Sequence, residues 1–289
     1  MKKLLIPVLF ACMIILSSCG GETVKPTPTP STTSKKISEI YYEYERHDYV
    51  SNDNGQTWNE YQSYCEDKVL GERWTWDGDK ILSIENYSEL IYDNISYNFY
   101  YNEENIVSEI IAPDIDVRVV FTYNNNQIST MEFYFNNVLS DTWELVYTDN
   151  TITQINSTVS PENVTITWNG NNISKLTYNV NNDEAEVLYT YDNKRNPYHD
   201  FDALLALALV KEGEMGIALM STNNIISDST QYLDPLVGNM VDDVHNYTYQ
   251  YQDNYPTLRT EREENVYTDL EHMTKHISEK RYYINYLED

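Results

Sequence analysis

One pattern recurs along the chain: three alternating large apolar residues, a polar gap of four, an apolar residue, and usually a second apolar residue three further on. It is written at Tyr97/Phe99/Tyr101 with Ile106, at Val119/Phe121/Tyr123 with Ile128 and Met131, at Trp143/Leu145/Tyr147 with Ile152 and Ile155, and at Val164/Ile166/Trp168 with Ile173 and Leu176. Trp74/Trp76 with Ile81 and Ile84 is a shorter copy, and Tyr247/Tyr249/Tyr251 opens a later one. The last aromatic before the gap stands at 76, 101, 123, 147 and 168, so the steps are 25, 22, 24 and 21 residues. A period in this range marks a repeat architecture, here a β-hairpin, which cannot bury its apolar face alone.

Alternation with a period of two puts each aromatic set on one face of a strand. With 27 Tyr but nine Gly and nine Pro, the turns must be built mainly from Asn and Asp, which tolerate the left-handed backbone. Asn124 to Asn126, Asp149 and Asn150, and Asn169 to Asn172 occupy those places. The two apolar residues after each turn are three apart, on opposite faces of a regular strand unless a bulge shifts the register. The first is read as packing beneath the turn and the second as opening the core face. The expected fold is mainly β: a long antiparallel meander forming a curved sheet or open barrel, pressed to curl or close as strands accumulate.

The pattern halts at Tyr191 to Pro197. Phe201, Leu204, Leu205, Leu207 and Leu209 predict one short helix near 201–211, with Asp200 or Asp202 as N-cap. From Asn223 to Val244 the periodic cues fail and a long loop is expected. Strands return over 246–252, 257–267 and 274–286. Functional residues are expected where the repeat breaks, between Asn196 and Asn246.

Lys2, Lys3 and the apolar run Leu4 to Leu16 read as a signal peptide over 1–18, too short for a permanent membrane helix. Leu16-Ser17-Ser18-Cys19 resembles the lipobox of bacterial lipoproteins, which implies lipid attachment at Cys19 and a membrane partner reached through that lipid. Residues 19–36, with prolines at 26, 28 and 30, form a tether. A single domain then covers 37–289, with an insert or break at 197–246. The formal charge of −27, from 19 basic and 46 acidic side chains, excludes nucleic acid as a natural partner. With Cys12 lost and Cys19 lipidated, Cys65 stands alone, and its strand-like setting predicts burial.

No motif fixes a reaction, and no catalytic residue, metal or cofactor is assigned. Ser51 to Trp58 fits the Asp-box pattern of sialidase-type propellers; the resemblance implies a hairpin turn between strands, while one box and seven scattered arginines do not make a sialidase. His272 and His276 are four apart, but the segment alternates like a strand, so solvated surface histidines are expected. Asp77-Gly78-Asp79 starts like a calcium loop, yet Ser88 stands at the twelfth position, and a turn is the simpler reading. Asp228-Ser229-Thr230 is similar to an O-glycosylation signal of exported Bacteroidota proteins.

Tyr189 to Asn193 and Tyr249 to Asn254 look like YD repeats. Together with the lipobox, the proline tether, Tyr191 to Pro197, Ser221 to Asn224 and Tyr251 to Pro256, they resemble a family of Bacteroidota lipoproteins of unknown function with a porin-like fold. The resemblance covers most of residues 70–260 and implies no catalytic residues.

The leading expectation is a non-enzymatic envelope lipoprotein of the outer membrane, on its periplasmic or surface face, acting as a binding or structural module for an unknown ligand or protein partner. Trp58, Trp74, Trp76, Tyr100 and Tyr101 are the candidates for stacking on sugar rings, against the simpler reading of most such rings as core. The alternatives are an integral outer-membrane β-barrel, whose aromatic girdles the strand-end Tyr and Trp fit, and a hydrolase using two carboxylates, for which nothing marks the pair.

Overall fold

The computed structural model describes residues 34–53, 55–87, 95–159, 163–180, 183–201, 203, 206–207, 214–233, 240–268 and 273–288. Sixteen strands follow one another around a closed antiparallel barrel, each paired with its sequence neighbours and the first with the last. They are β1 (Ile37–Ser51), β2 (Asn59–Asp77), β3 (Lys80–Asn86), β4 (Ser96–Tyr101), β5 (Val107–Ala112), β6 (Val117–Asn124), β7 (Gln127–Phe135) and β8 (Val138–Thr148). The circuit continues through β9 (Thr151–Ser157), β10 (Asn163–Asn169), β11 (Asn172–Val180), β12 (Asp183–Arg195), β13 (Asn223–Leu233), β14 (Met240–Gln252), β15 (Tyr255–Thr268) and β16 (Met273–Tyr286). A short helix, α1 (Glu214–Ala218), precedes β13. The expected meander is therefore present, and its sheet closes.

The turns of the repeated hairpins lie at one end of the barrel, here the turn end, whereas the β7–β8 turn at Asn136 and Asn137 lies at the other. Asn125 and Asn126, Asp149 and Asn150, and Asp253 and Asn254 all have positive φ, the paired left-handed geometry whose twist suits a two-residue hairpin. Asp77 to Asp79 is likewise a turn, with Gly78 at φ +57.

A bulge follows each of these turns. Tyr123 faces Ile128 while Thr122 faces Thr130, so Ser129 is the extra residue, and its hydroxyl donates to the Thr122 carbonyl at 3.1 Å. Ser108, Ser140, Thr153, Ser174 and Thr257 repeat this bond at other bulges. The extra residue turns the two apolar positions onto one face. Ile128 and Met131 are accordingly 3% and 0% exposed, and both belong to the core.

Among the described residues nothing packs outside the closed sheet, so its buried side chains face the lumen. That lumen holds the wall's own Ile, Leu, Val and aromatic residues and, from the inserted segment, Tyr198, Phe201, Ala203, Ala206, Leu207 and Ile217 to Met220, with Asn196 and Thr222 bonded at the turn end. Of the helix expected near 201–211, Ala203, Ala206 and Leu207 are helical and buried, Phe201 is extended, and the rest lies outside the described residues.

Two expectations are corrected. Residues 223–244 are mostly strand, in β13 and the start of β14, rather than a long loop. Cys65 is exposed: it sits on the part of β2 that runs beyond β3, which pairs only with residues 72–77, so among the described residues no second strand flanks it.

Candidate functional site at the turn end of the barrel

At this end an aromatic near the end of one strand is tied to a backbone carbonyl near the start of its neighbour. Trp76 Nε1 donates to the Ile37 carbonyl at 2.7 Å, Tyr101 Oη to Ile81 at 2.9 Å, Tyr123 Oη to Val107 at 2.6 Å, and Tyr147 Oη to Ile128 at 2.9 Å. Trp168 Nε1 reaches Ile152 at 2.7 Å, Tyr249 Oη reaches Ile225 at 2.7 Å, and Tyr286 Oη reaches Pro256 at 2.8 Å. The ties satisfy carbonyls beside the bulges and fix the rings. Burial pushes the Tyr101 and Tyr147 phenols up to about 12, so both remain donors at any physiological pH.

The seam between β11 and β12 is closed differently. Ser221 donates its hydroxyl to Tyr191 Oη and accepts the Ile173 amide, so the inserted segment takes the place of an aromatic tie. Asn196, 3% exposed, anchors that segment. Its amide donates to the Leu219 and Ser221 carbonyls at 2.9 and 2.8 Å, and its oxygen accepts the Tyr198 amide at 3.0 Å. Asn223 donates to the Lys194 carbonyl, Asn224 donates to that of Arg195, and Asp192 accepts from Tyr251. The runs 191–197, 221–224 and 251–256, distant in sequence, thus form one polar clamp.

Beside the clamp, a cleft of about 740 Å³ opens among the turns. Tyr123, Tyr147 and Trp168 line its wall side, and Tyr198 and Phe201 its inserted side; the amides of Asn126, Gln127, Asn150 and Asn171 stand at the rim. A deeper cavity of about 290 Å³ lies between β1, β2, β13 to β16 and the inserted segment. Arg259 projects there between the rings of Tyr247 and Tyr282, each 4.7 Å away, and pairs with Glu261 at 3.1 Å. Burial works against its charge, but Tyr282, Tyr249 and Glu261 outweigh burial and hold the proton more firmly than usual.

The sequence-derived stacking candidates separate. Trp74, 4% exposed, packs between Trp76 and Tyr198, and Trp76 in turn meets Phe201 at 4.8 Å. Tyr101 is a seam tie, whereas Tyr100 is 47% exposed on the outer wall. Trp58 lies at the opposite end, beneath Lys275. Cys19 and His272 lie outside the described residues. His276 is on a strand, as expected, but is partly buried against Asp48 and Arg46 rather than freely solvated. Asp228 is buried on β13, accepting from Tyr247 at 2.6 Å. Sequence reasoning missed Tyr123, Tyr147 and Trp168 as cleft residues, although each holds the last aromatic position of its repeat.

The Asp-box forms the turn between β1 and β2. Asp53 accepts the Thr57 amide and hydroxyl and the Ser51 hydroxyl, which hold its carboxyl down at about 2. A depressed carboxylate contributes stability above its unfolded value, near 4, and loses it as pH falls toward 2. The Thr57 amide should therefore lose its hydrogen-bonded NMR shift between about pH 4 and 2; a shift constant over that range would show that Asp53 does not hold the turn.

The fold defines a closed up-and-down barrel with an occupied lumen. No protein-family model and no curated protein matches the chain. Among solved structures it is similar in fold to a porin-like protein from Bacteroides uniformis, with a TM-score of 0.52 at 12% identity over 88% of this chain and 99% of that one. A porin-like protein from Bacteroides vulgatus aligns over 88% of this chain and 100% of its own at 10% identity, but its TM-score of 0.28 carries no weight. The expected curved sheet or open barrel is thus a closed barrel.

Proposed function

We propose that the chain is an envelope barrel that stands in water, is anchored through a lipid on Cys19, and works as a binding module rather than as an enzyme or a conduit. The observation that carries this reading is the distribution of side chains across the wall. A lipid-spanning barrel turns an apolar band about 25 Å tall outward and keeps a polar interior. Here the apolar residues face the lumen, and the outer wall carries ion pairs such as Arg118 with Glu109, Lys175 with Glu186 and Arg281 with Glu43. Outward Val146, Leu188 and Val244 are exposed apolar residues set among such charges. A charge at the bilayer midplane costs about 2–4 kcal/mol for Arg or Lys, so several together oppose insertion.

The porin-like fold of the Bacteroides uniformis protein supports an envelope setting and favours the second reading, an integral outer-membrane barrel. The two separate on solubility. A Cys19→Ser chain lacking residues 1–18 should sediment as a soluble monomer without detergent. Recovery only in detergent, with partition into the detergent phase, would establish the integral barrel instead.

A further inference from the structure

We propose that the turn-end cleft binds a neutral glycan, with sugar rings stacked on Tyr147 and Trp168 and hydroxyls bonded to the turn amides of Asn126, Asn150 and Asn171. The inference rests on the proposed binding role and names its ligand class.

The polar tips of Tyr123, Tyr147 and Trp168 are spent on the carbonyls of Val107, Ile128 and Ile152. What these side chains offer the cleft is ring surface, held in a fixed orientation. Such a surface suits a ligand with an apolar ring face and loses little side-chain entropy on binding. Asn126 and Asn150 occupy positive-φ turn positions that fix their backbone, and Gln127 Nε2 donates to the Asn150 carbonyl and Oδ1 at 3.4 Å, which orients the Asn150 amide and leaves its NH2 toward the cleft rim free to donate. An amide both donates and accepts, which matches vicinal hydroxyls.

Charge narrows the class. The rim is mainly amide, with Glu104 and His199 as ionisable groups lining the cleft, and a chain of net charge −27 repels anions. A uronic-acid or sulfated glycan is therefore disfavoured. The volume of about 740 Å³ falls in the range of small-ligand clefts, about 300–1,000 Å³, and suits a short oligosaccharide. The deeper cavity is smaller, and its Arg259 is already answered by Glu261 and three tyrosines.

The test uses the Cys19→Ser chain lacking residues 1–18 against neutral cello-, xylo-, malto-, manno- and laminari-oligosaccharides and against oligogalacturonate, measured by calorimetry. At least one neutral series should bind, and oligogalacturonate should not. Trp168→Ala should weaken binding about tenfold or more; Asn150→Asp, which keeps the turn, should also weaken it. Tyr100→Ala on the outer wall should retain affinity. No binding of any neutral series by a soluble, folded chain would overturn the inference while leaving the water-standing barrel intact. So would binding unchanged in a folded Trp168→Ala variant, or tighter binding of oligogalacturonate. A chain recovered only in detergent would overturn the proposed setting instead.

Discussion

Replacing Asn196 with alanine is expected to lower the unfolding free energy by about 3 kcal/mol and to expose residues 198–220 to protease before the barrel itself unfolds. The side chain makes three hydrogen bonds, two donated and one accepted, in a position almost closed to water. Alanine leaves the Leu219 and Ser221 carbonyls and the Tyr198 amide without that partner, at about 1–3 kcal/mol for each group left unsatisfied and less where water enters from the adjoining cleft. Urea unfolding followed by tryptophan fluorescence gives the first quantity, and limited proteolysis with mass mapping gives the second. Asn196→Asp separates geometry from size: it keeps the acceptor, removes both donors, and should lose most of the same stability. A change below about 0.5 kcal/mol in either variant would mean that apolar packing alone seats the segment.

Arg259→Met is expected to cost about 2–3 kcal/mol, and Arg259→Met with Glu261→Gln should recover at least half of it. Breaking a buried pair strands the remaining charge, at about 3–5 kcal/mol in a dry interior. The loss is smaller here because Lys280 stays 3.6 Å from Glu261 and the neighbouring cavity admits water. Recovery in the double variant distinguishes a stranded carboxylate from lost contact with Tyr247 and Tyr282. If the double variant is as unstable as the single, the cation's ring contacts dominate and the pairing account fails.

The hairpins were legible because their signals are local. Alternation fixed the inward rings, and Asn or Asp pairs fixed the turns. The bulges were also written in the sequence, as the Ser129 that separates Ile128 from the next residues of its strand and as its equivalents at 108, 153, 174 and 257. A spacing of three without a small hydroxyl residue between does not declare which strand yields.

β13 and the first part of β14 were missed for a different reason. Their inward positions include Asp228 and His245, bonded to each other at 2.9 Å, so the apolar alternation fails where a polar pair faces the lumen. Cys65 misled because a strand-like pattern says nothing of how far the adjacent strand extends. For the candidate cleft, the sequence marked the break after Asn196, and the inserted side of the cleft does come from that segment. The wall side could not be seen locally, since it forms only when turns at 126, 150 and 171 stand side by side.

Closure of the ring has a kinetic meaning. Around the barrel, successive strands pair with neighbours close in sequence, whereas β1 meets β16 only after most of the domain has been made. Joining ends about 250 residues apart costs about 3 kcal/mol more chain entropy than closing a ten-residue loop. That cost falls on a seam between strands of 15 and 14 residues, whereas β4 and β5 have 6 each. The longest-range contact is thus assigned to one of the most extensive pairings, so the final step of assembly can be cooperative: a growing sheet remains open until its two outermost strands zip together.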